Sequence, residues 1–299
     1  MKKPKLLLLI ALSFLLIGSI IFTAIMFSLN WDFKELTTMK YVNNNYTIDS
    51  EYNNFDISTK TADIIFEISN DDTTKVTCYE MAKATHIVTV ENDTLTIKLD
   101  DQRKWYDHID IGFASPKITI SLPQAEYGKL KIECKTGDVI LPNNLTFTDV
   151  NITNKTGDIK LKNITALDMT LSVSTGDIEL LNVKCNNLSA SGNTGDIDLS
   201  TVNCTNLTAT ASTGDIELEN VIATNNFNLA VSTGDVDFDR CDASEITATT
   251  TTGSIKGSLL SDKSFDADSK TGKVEVPKHT TGGKCTLRTK TGNIKITII

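Results

Sequence analysis

Six aspartates recur at a nearly fixed interval in the second half of the chain, and their spacing could support cation binding. Each follows a Thr-Gly pair in the phrase TGDV or TGDI, at Asp138, Asp158, Asp177, Asp196, Asp215 and Asp235. If successive copies stack as neighbouring strands, the carboxylates lie about 5 Å apart, where like charges repel and Ca²⁺ would relieve the repulsion. One hypothesis is therefore a calcium row with the ligands Asp158, Asp177, Asp196, Asp215 and Asp235.

The same phrase is also typical of a tight turn. Glycine adopts backbone angles that are costly for other residues, and the adjacent Thr and Asp side chains can accept hydrogen bonds from the N–H groups of the turn. Three further copies replace the aspartate with Ser254, Lys273 and Asn293. Because a lysine in the row opposes a continuous channel of carboxylates, we predict that these residues cap turns and that the protein binds no metal or other cofactor.

The repetition itself predicts the fold. Nine copies of the phrase place glycines 19 or 20 residues apart from Gly137 to Gly292, and apolar residues lie two apart within each half-repeat. That is strand spacing, and the frame of a leucine-rich repeat is absent. We predict an all-β, single-chain parallel β-solenoid (β-helix) with 19–20-residue coils. One predicted core column stands seven residues after the glycine, at Ile164, Val183, Val202, Val221, Cys241 and Leu260.

The N-terminus predicts one transmembrane helix before the solenoid. Leu6 to Leu29 contains 24 uncharged residues, and Lys2, Lys3 and Lys5 precede it. This length exceeds the roughly 20 residues needed to cross a bilayer, and the lysines favour a cytoplasmic N-terminus. With no A-x-A cleavage motif after it, the segment is interpreted as an uncleaved signal anchor. The predicted location is the cell membrane, with a single pass and an extracellular C-terminal domain.

Four regions follow from these patterns. Residues 1–30 form the cytoplasmic tip and anchor, 31–45 a polar stalk, 46–128 an N-terminal β region that caps the solenoid, and 129–299 the repeats. Thr61-Ala62-Asp63-Ile64 resembles the repeated phrase, so the first coil is predicted there. Glu91-Asn92-Asp93 lies between two alternating runs and is predicted to form a hairpin turn.

Charge and cysteine content exclude some classes of function. The formal net charge is −9, which opposes binding to nucleic acid phosphates. Six cysteines show no C-x-x-C spacing, so a zinc site is not expected. Cys185 and Cys204 occupy the same position in consecutive repeats, where the separation suits a disulfide but parallel neighbours point the same way. The sequence leaves this bridge open.

No enzyme motif is present. The sequence lacks a nucleophile elbow, a phosphate-binding loop, H-E-x-x-H and a dinucleotide fingerprint, so we predict a non-enzymatic protein. The one conspicuous cluster outside the repeats is the insertion 101–115, where a ligand-contact loop is predicted at Trp105, Tyr106, Asp107 and His108. The alternative of a carbohydrate-active β-helix enzyme depends on Asp107 and His108 in the same insertion.

Residues 46–299 resemble a known family. The run ENDTLTIKLD, the irregular insertion, the run KITISLPQAEYGKLKIECKTGDVIL and the serial TGDI repeats are similar to the bacterial putative-adhesin family of LiaG-like membrane-anchored proteins. This resemblance implies a β-solenoid ectodomain at the cell envelope and supplies no catalytic residues.

The functional hypotheses follow from this fold and location. The first is an adhesin or surface-contact protein, with an envelope protein or a cell-wall glycan as partner and the membrane bound through the N-terminal helix. The second is an accessory or sensor component of a cell-envelope stress system. The strand Leu287–Ile299 ends in ITII without a cap, so an open edge and a homodimer through that edge are also predicted.

Overall fold

The structure is a computed structural model that describes residues 3–32, 40–105, 115–142, 144–278 and 281–299. In these ranges the chain forms the helix α1 (Lys3–Ser28) and 24 β-strands. The strands before the regular repeats are β1 (Tyr41–Ile48), β2 (Asn54–Thr61), β3 (Asp63–Ile68), β4 (Thr74–Met81), β5 (Ala84–Glu91), β6 (Thr94–Asp101) and β7 (Lys117–Leu122).

The repeats form the remaining strands. These are β8 (Glu126–Thr136), β9 (Val139–Leu141), β10 (Leu145–Thr156), β11 (Ile159–Lys162), β12 (Ile164–Thr165), β13 (Asp168–Thr175), β14 (Ile178–Lys184), β15 (Asn187–Thr194) and β16 (Ile197–Thr213). They continue as β17 (Ile216–Glu219), β18 (Ile222–Thr233), β19 (Val236–Thr252), β20 (Ile255–Leu259), β21 (Lys263–Thr271), β22 (Val274–Glu275), β23 (Gly283–Thr291) and β24 (Ile294–Ile298).

Helix α1 is long and apolar enough to cross a membrane. Its segment Lys5–Ser28 has 24 residues and a mean hydropathy of 2.7. Most of its large apolar side chains are exposed, so they do not pack on the β-solenoid. An N-terminal helix of this kind is shared by membrane anchors and signal peptides.

Each repeat forms one coil of a parallel β-solenoid, as the spacing predicts. The segment before each glycine pairs in register with its equivalent in the next coil, as Leu171 does with Ala190. The segment after the glycine does the same, as Ile178 does with Ile197. We call the surfaces built from these two sets of segments the first face and the second face. The core lies between them, because alternate residues of each strand point inward.

The column seven residues after the glycine is buried as predicted, except at its end. Val183, Val202, Val221 and Cys241 are fully buried, whereas Leu260 is 43% exposed and Leu259 takes the core position. Gly257 has φ of +131°, and the pairing of β19 with β20 shifts register between Phe238 and Cys241. This irregularity removes one residue from the coil, so the prediction of Leu260 as a core residue is wrong.

The first coil begins where the altered phrase predicts it. Strand β2 pairs in parallel with β8, and Ala62 stands in the glycine position beneath Gly137. In space, β2 lies between β6 and β8, and β3 lies between β7 and β9. The coil that comes first in the sequence is therefore one layer inside the solenoid.

Antiparallel strands cover this end. Strand β5 pairs with β6, β4 pairs with β7, and β1 pairs with the outer side of β4. The β5–β6 turn confirms the predicted hairpin, since Asn92 and Asp93 both have positive φ, as mirror-image hairpin turns require. Strand β1 begins at Tyr41 and thus includes the last residues of the predicted stalk.

The C-terminal end has a similar exchange of layers. Strand β23 pairs with both β19 and β21, and β24 pairs with both β20 and β22. Ile294 and Ile296 are accordingly 0% and 3% exposed. The prediction that Leu287–Ile299 is an open edge is wrong for most of this segment, because β23 and the start of β24, as far as Lys295, have a strand on each side. The free edges at this end belong to β21 and β22.

Candidate functional site

The aspartates of the repeated phrase form a hydrogen-bonded ladder along one corner of the solenoid. Each accepts a hydrogen bond through Oδ1 from the backbone N–H of the equivalent residue in the next coil, at 2.7–3.0 Å. The ladder starts at Asp63, whose Oδ1 accepts from the N–H of Asp138. The carboxylates therefore cap N–H groups as predicted, but those of the neighbouring coil rather than of their own turn.

The three copies without aspartate lie at the far end of the ladder. Ser254 Oγ accepts from the N–H of Asn293 at 3.2 Å, and Asn293 Oδ1 accepts from the N–H of Lys273 at 2.9 Å. Lys273 is last in space although it is not last in sequence. No later coil needs an acceptor from it, which explains why a lysine is tolerated at this position.

Little of the ladder remains available for a cation. Ligand atoms of Asp158, Asp177 and Glu179 lie within 4.8 Å of one another, the closest approach to a metal site along the row. Lys160 Nζ, however, lies 3.2 Å from Asp158 Oδ2 and 2.7 Å from Glu179 Oε1. This ammonium group already supplies the positive charge that a cation would bring.

The outer surface of the second face carries a run of acids between lysines. In spatial order, one column contains Lys160, Glu179, Asp198, Glu217, Asp237 and Lys256. Lys256 Nζ lies 3.2 Å from Asp237 Oδ2, so the two lysines pair with the outer acids. Asp198 and Glu217 in the centre have no ion-pair partner among the described residues.

Burial and neighbouring charge act together on Asp198. Its partial burial, followed by the negative charges of Glu217 and Asp196, raises the pKa of this carboxyl to about 6. A carboxylate that is both half-buried and surrounded by acids is destabilised in its charged form. The centre of the second face is therefore electrostatically strained at neutral pH.

Two shallow depressions follow this column. One of about 400 Å³ includes Lys160, Glu179 and Asp198, and one of about 610 Å³ includes Glu217, Asp237 and Lys256. Neither set of lining residues contains a His or a Cys. These depressions therefore lack the Ser–His or Cys–His pair that is common in acyl transfer.

The first face has a different character. Over five consecutive coils, three outward columns of this face carry only short uncharged side chains. We call the surface formed by these columns the hydroxyl face. Its residues are Thr170, Ser172, Ser174, Ser189, Ser191, Asn193, Thr208, Thr210, Ser212, Asn228, Ala230, Ser232, Thr247, Thr249 and Thr251. Because the coils stack in register, equivalent groups repeat about every 4.8 Å along the solenoid. This face is not among the sites predicted from the sequence, although the short polar residues alternate with the core residues in the segment before each glycine.

A buried polar network holds the antiparallel strands to the solenoid. His86 Nδ1 lies 2.6 Å from Glu80 Oε2, and His86 Nε2 lies 2.9 Å from Thr59 Oγ1. Asn44 Nδ2 donates to Glu80 Oε1 at 2.6 Å. Glu80 and His86 are 1% and 2% exposed. The period-two pattern of β4 and β5 places both inward, a signal that the sequence analysis missed.

Cys78 completes a set of potential metal ligands with Glu80 and His86. The ligand atoms lie within 4.8 Å of one another, and burial raises the pKa of the Cys78 thiol to about 12. The 2.6 Å contact of Glu80 with His86 is a hydrogen bond, shorter than the ~3.3 Å between two ligands of tetrahedral zinc. The arrangement is a closed hydrogen-bond network with a protonated thiol beside it.

The predicted ligand-contact loop is only partly described. Trp105 is 78% exposed, and Tyr106, Asp107 and His108 lie outside the described residues. At the start of this insertion, Arg103 makes a two-point ion pair with Asp101, at 2.8 and 2.9 Å. This pairing lowers the pKa of Asp101 and fixes the chain where it leaves β6.

The six cysteines are free thiols. Cys185 and Cys204 lie on neighbouring coils, and burial raises their pKa to about 12 and 11. Cys241 and Cys285 are fully buried and serve as small apolar core residues, as the column seven residues after the glycine predicts for Cys241.

Comparison with known proteins supports this architecture. The family model described as Toastrack DUF4097 matches residues 52–297. A putative adhesin from Bacteroides fragilis NCTC 9343 is similar in structure, with 20% identity, a TM-score of 0.53, and coverage of 86% of this chain and 97% of that one. A putative adhesin from Parabacteroides merdae ATCC 43184 gives 15% identity, a TM-score of 0.51, and coverage of 86% and 96%. No curated protein matches the sequence. At these identities the structural likeness concerns the fold.

Proposed function

The chain belongs to the Toastrack DUF4097 family, and we propose that it is a non-enzymatic, membrane-anchored contact protein of the bacterial cell surface. Structural neighbours that carry the name putative adhesin support a surface role. Helix α1 would hold the chain in the membrane, with Lys2, Lys3 and Lys5 on the cytoplasmic side and the solenoid outside.

The observation that carries this proposal is the hydroxyl face. The repeated Thr-Gly-Asp phrase is used for stacking the coils, so it is the outward side chains that are left to meet a partner. Short hydroxyl and amide groups lose little conformational freedom on binding, and each can donate and accept hydrogen bonds. Rows of such groups at a constant interval suit a polymer with a repeating pattern of hydroxyl and amide groups, such as a cell-wall glycan.

The test compares matched variants of the full-length chain for binding to purified cell-wall sacculi. T208E/T210E places two charges in the middle of the hydroxyl face, whereas S200E/T297E places the same charges on the second face. We expect the first variant to lose at least tenfold in sacculus binding and the second to bind as the parent does. If both variants bind sacculi equally well, the hydroxyl face is not the surface that contacts the cell wall.

Location is measured separately. We expect the chain to remain in the membrane fraction after alkaline washing and its solenoid to be digested by protease added to intact protoplasts. Binding to a membrane protein through α1 without any sacculus binding would favour the envelope-stress accessory hypothesis instead.

A further inference from the structure

The described part of the solenoid ends in four strands that have a partner on one side only over most of their length. At one end these are β1, in which residues 42–48 pair only with β4 among the described strands, and β5, which pairs with β6 throughout and with β4 only at Ala84. At the other end they are β21 and β22, whose partners are β23 and β24. A strand with one free edge presents unpaired N–H and C=O groups, which can pair with another chain.

The two ends differ in how these edges are protected. Strand β21 carries Lys263, Asp266, Asp268 and Lys270 within nine residues, and β22 ends at Glu275. Strand β1 reads YVNNNYTI and has no charged side chain in eight residues. Charged side chains on an edge strand oppose pairing with a second strand. Pairing with another chain is therefore disfavoured at β21 and β22 but not at β1.

Strand β5 is a less suitable edge than β1. The N–H of His86 already donates to Glu80 Oε2 at 2.8 Å, and its C=O accepts from the hydroxyl of Tyr46 at 3.0 Å. Strand β1 also extends its face by one strand beyond β4, whereas on the outer side of β5 the described strands make only the single pair of Ala84 with Met81 of β4. The outermost edge at this end is therefore that of β1.

We propose that β1 pairs antiparallel with β1 of a second copy of this chain, forming a two-fold symmetric dimer. An uncharged strand can meet its own copy without repulsion, and antiparallel self-pairing is the strand arrangement that a two-fold axis generates. The proposal rests on the membrane anchoring proposed above for the position of the β1 edge relative to the membrane. Strand β1 begins 13 residues after the last residue of α1, so in every anchored copy this edge lies within about 40 Å of the membrane end of the helix.

The alternation of side chains in β1 defines a register for the pair. Val42, Tyr46 and Ile48 face inward and are only partly buried, and among the described strands none lies beyond β1. Pairing centred on Asn45 sets Val42 opposite Ile48 of the second copy, with both facing the core. The dimer thus extends one face of each solenoid into the other and covers apolar groups that the single chain leaves partly exposed.

Cysteine cross-linking in intact membranes tests this register with the full-length chain. N45C places the thiols of the two copies opposite each other across the two-fold axis. D268C is the matched control, because it places a thiol in β21 at the other end of the solenoid. The native thiols are buried or half-buried, and the parent chain gives the background. With a mild oxidant, we expect N45C to convert at least half of the chain to covalent dimer and D268C to stay at background.

A charge variant gives an independent measurement. N43K/N45K sets the lysines introduced at position 45 of the two copies opposite each other and adds a further positive charge beside them, whereas N225K/N226K adds the same charges to β18, away from the free edges. We expect the first variant to lower the dimer fraction in detergent at least tenfold, by native mass spectrometry, and the second to leave it unchanged. The proposal is overturned if N45C gives no more covalent dimer than D268C, or if N43K/N45K leaves the dimer fraction unchanged.

The membrane fraction and protease exposure of the same samples separate the two proposals. A membrane-embedded monomer would refute the dimer and leave the anchor. A dimer found in a chain released from the membrane would refute the anchor and leave the seam.

Discussion

The backbone N–H of Lys273 donates to Oδ1 of Asn293 at 2.9 Å, although Lys273 comes 20 residues earlier in the chain. Along the corner, the spatial order is Asp235, Ser254, Asn293 and then Lys273. The last coil in sequence is therefore inserted one layer inside the solenoid. At the other end, β2 is inserted between β6 and β8 in a similar way. Each inserted coil gains a partner on both edges, which an end coil would not have.

The ladder predicts different effects for similar substitutions. In D196A, the N–H of Asp215 loses the acceptor that lies 2.8 Å away, and we expect a loss of about 1–2 kcal/mol in the free energy of unfolding. D196N keeps an oxygen acceptor and should lose less than half as much. K273A, at the spatial end of the row, should have almost no effect. Denaturant unfolding of the three variants checks this order, and an equal loss in K273A would contradict it.

Two neighbouring glycines in one coil should respond in opposite ways to alanine. At Gly195, φ is +126° and a Cβ would lie 2.1 Å from the carbonyl oxygen of Gly176, so G195A should lose at least about 3 kcal/mol. At Gly192, a Cβ would meet no heavy atom closer than 3.8 Å, in a column that has Val173 and Ala211 on either side. G192A should gain roughly 0.5–1 kcal/mol. Thermal unfolding of both variants tests the pair, and a stable G195A would refute the role of the corner.

The period of the glycines was enough to predict the coil and most of its core, because every copy repeats the same steric requirement. It could not predict the order of the coils in space. Lys273 and Asn293 stand in equivalent copies of one phrase, and nothing in the phrase says which copy lies outside. The prediction of an open edge is wrong for this reason, because it equates the order of the coils in the sequence with their order in space.

The polar network at the other end was missed for a different reason. Glu80 and His86 belong to no repeat and no motif, and they meet because a short turn leads from β4, which pairs with β7, to β5, which pairs with β6. Their inward positions follow from the period-two pattern of each strand, but their contact depends on where the turn places the two strands. The acidic centre around Asp198 needs the same knowledge, because Glu217 reaches it from the next coil.

Stability should fall as pH rises through the range in which Asp198 ionises. The folded state holds this proton up to about pH 6, whereas an unfolded aspartate loses it near pH 4. Stability from this group is therefore greatest below pH 4, falls between pH 4 and 6, and stays reduced above pH 6. D198N should be more stable than the parent by ~1 kcal/mol at pH 7.5, after allowance for its partial exposure, and equal to it at pH 4.

The matched control is E245Q, which removes a carboxylate from the other face. Its thermal unfolding should change little at either pH. An equal gain for E245Q at pH 7.5 would mean that net charge, rather than the surroundings of Asp198, sets the effect.

Removal of divalent cations should leave the parent chain unchanged. The Oδ1 atoms of the ladder accept N–H groups, and Lys160 and Lys256 lie 3.2 and 3.1 Å from Oδ2 of Asp158 and Asp235. We expect EDTA and millimolar Ca²⁺ to give the same midpoint of thermal unfolding. In K160A, the oxygens of Asp158, Asp177 and Glu179 lose their cation, and Ca²⁺ should then raise the midpoint. Stabilisation of the parent by Ca²⁺ would instead support the calcium row.

The insertion of the last coil can be tested with two equivalent core positions. Ile296 and Val276 both stand four residues after a glycine, but Ile296 is 3% exposed and pairs with Gly257, whereas Val276 is half-buried on the outermost coil. I296A should lose about 2–4 kcal/mol in the free energy of unfolding, because truncating a fully packed side chain leaves a cavity. V276A should lose less than about 1 kcal/mol, since its side chain is already partly in contact with water. If the chain stacked in sequence order, Ile296 would be at the open end and the two losses would be reversed.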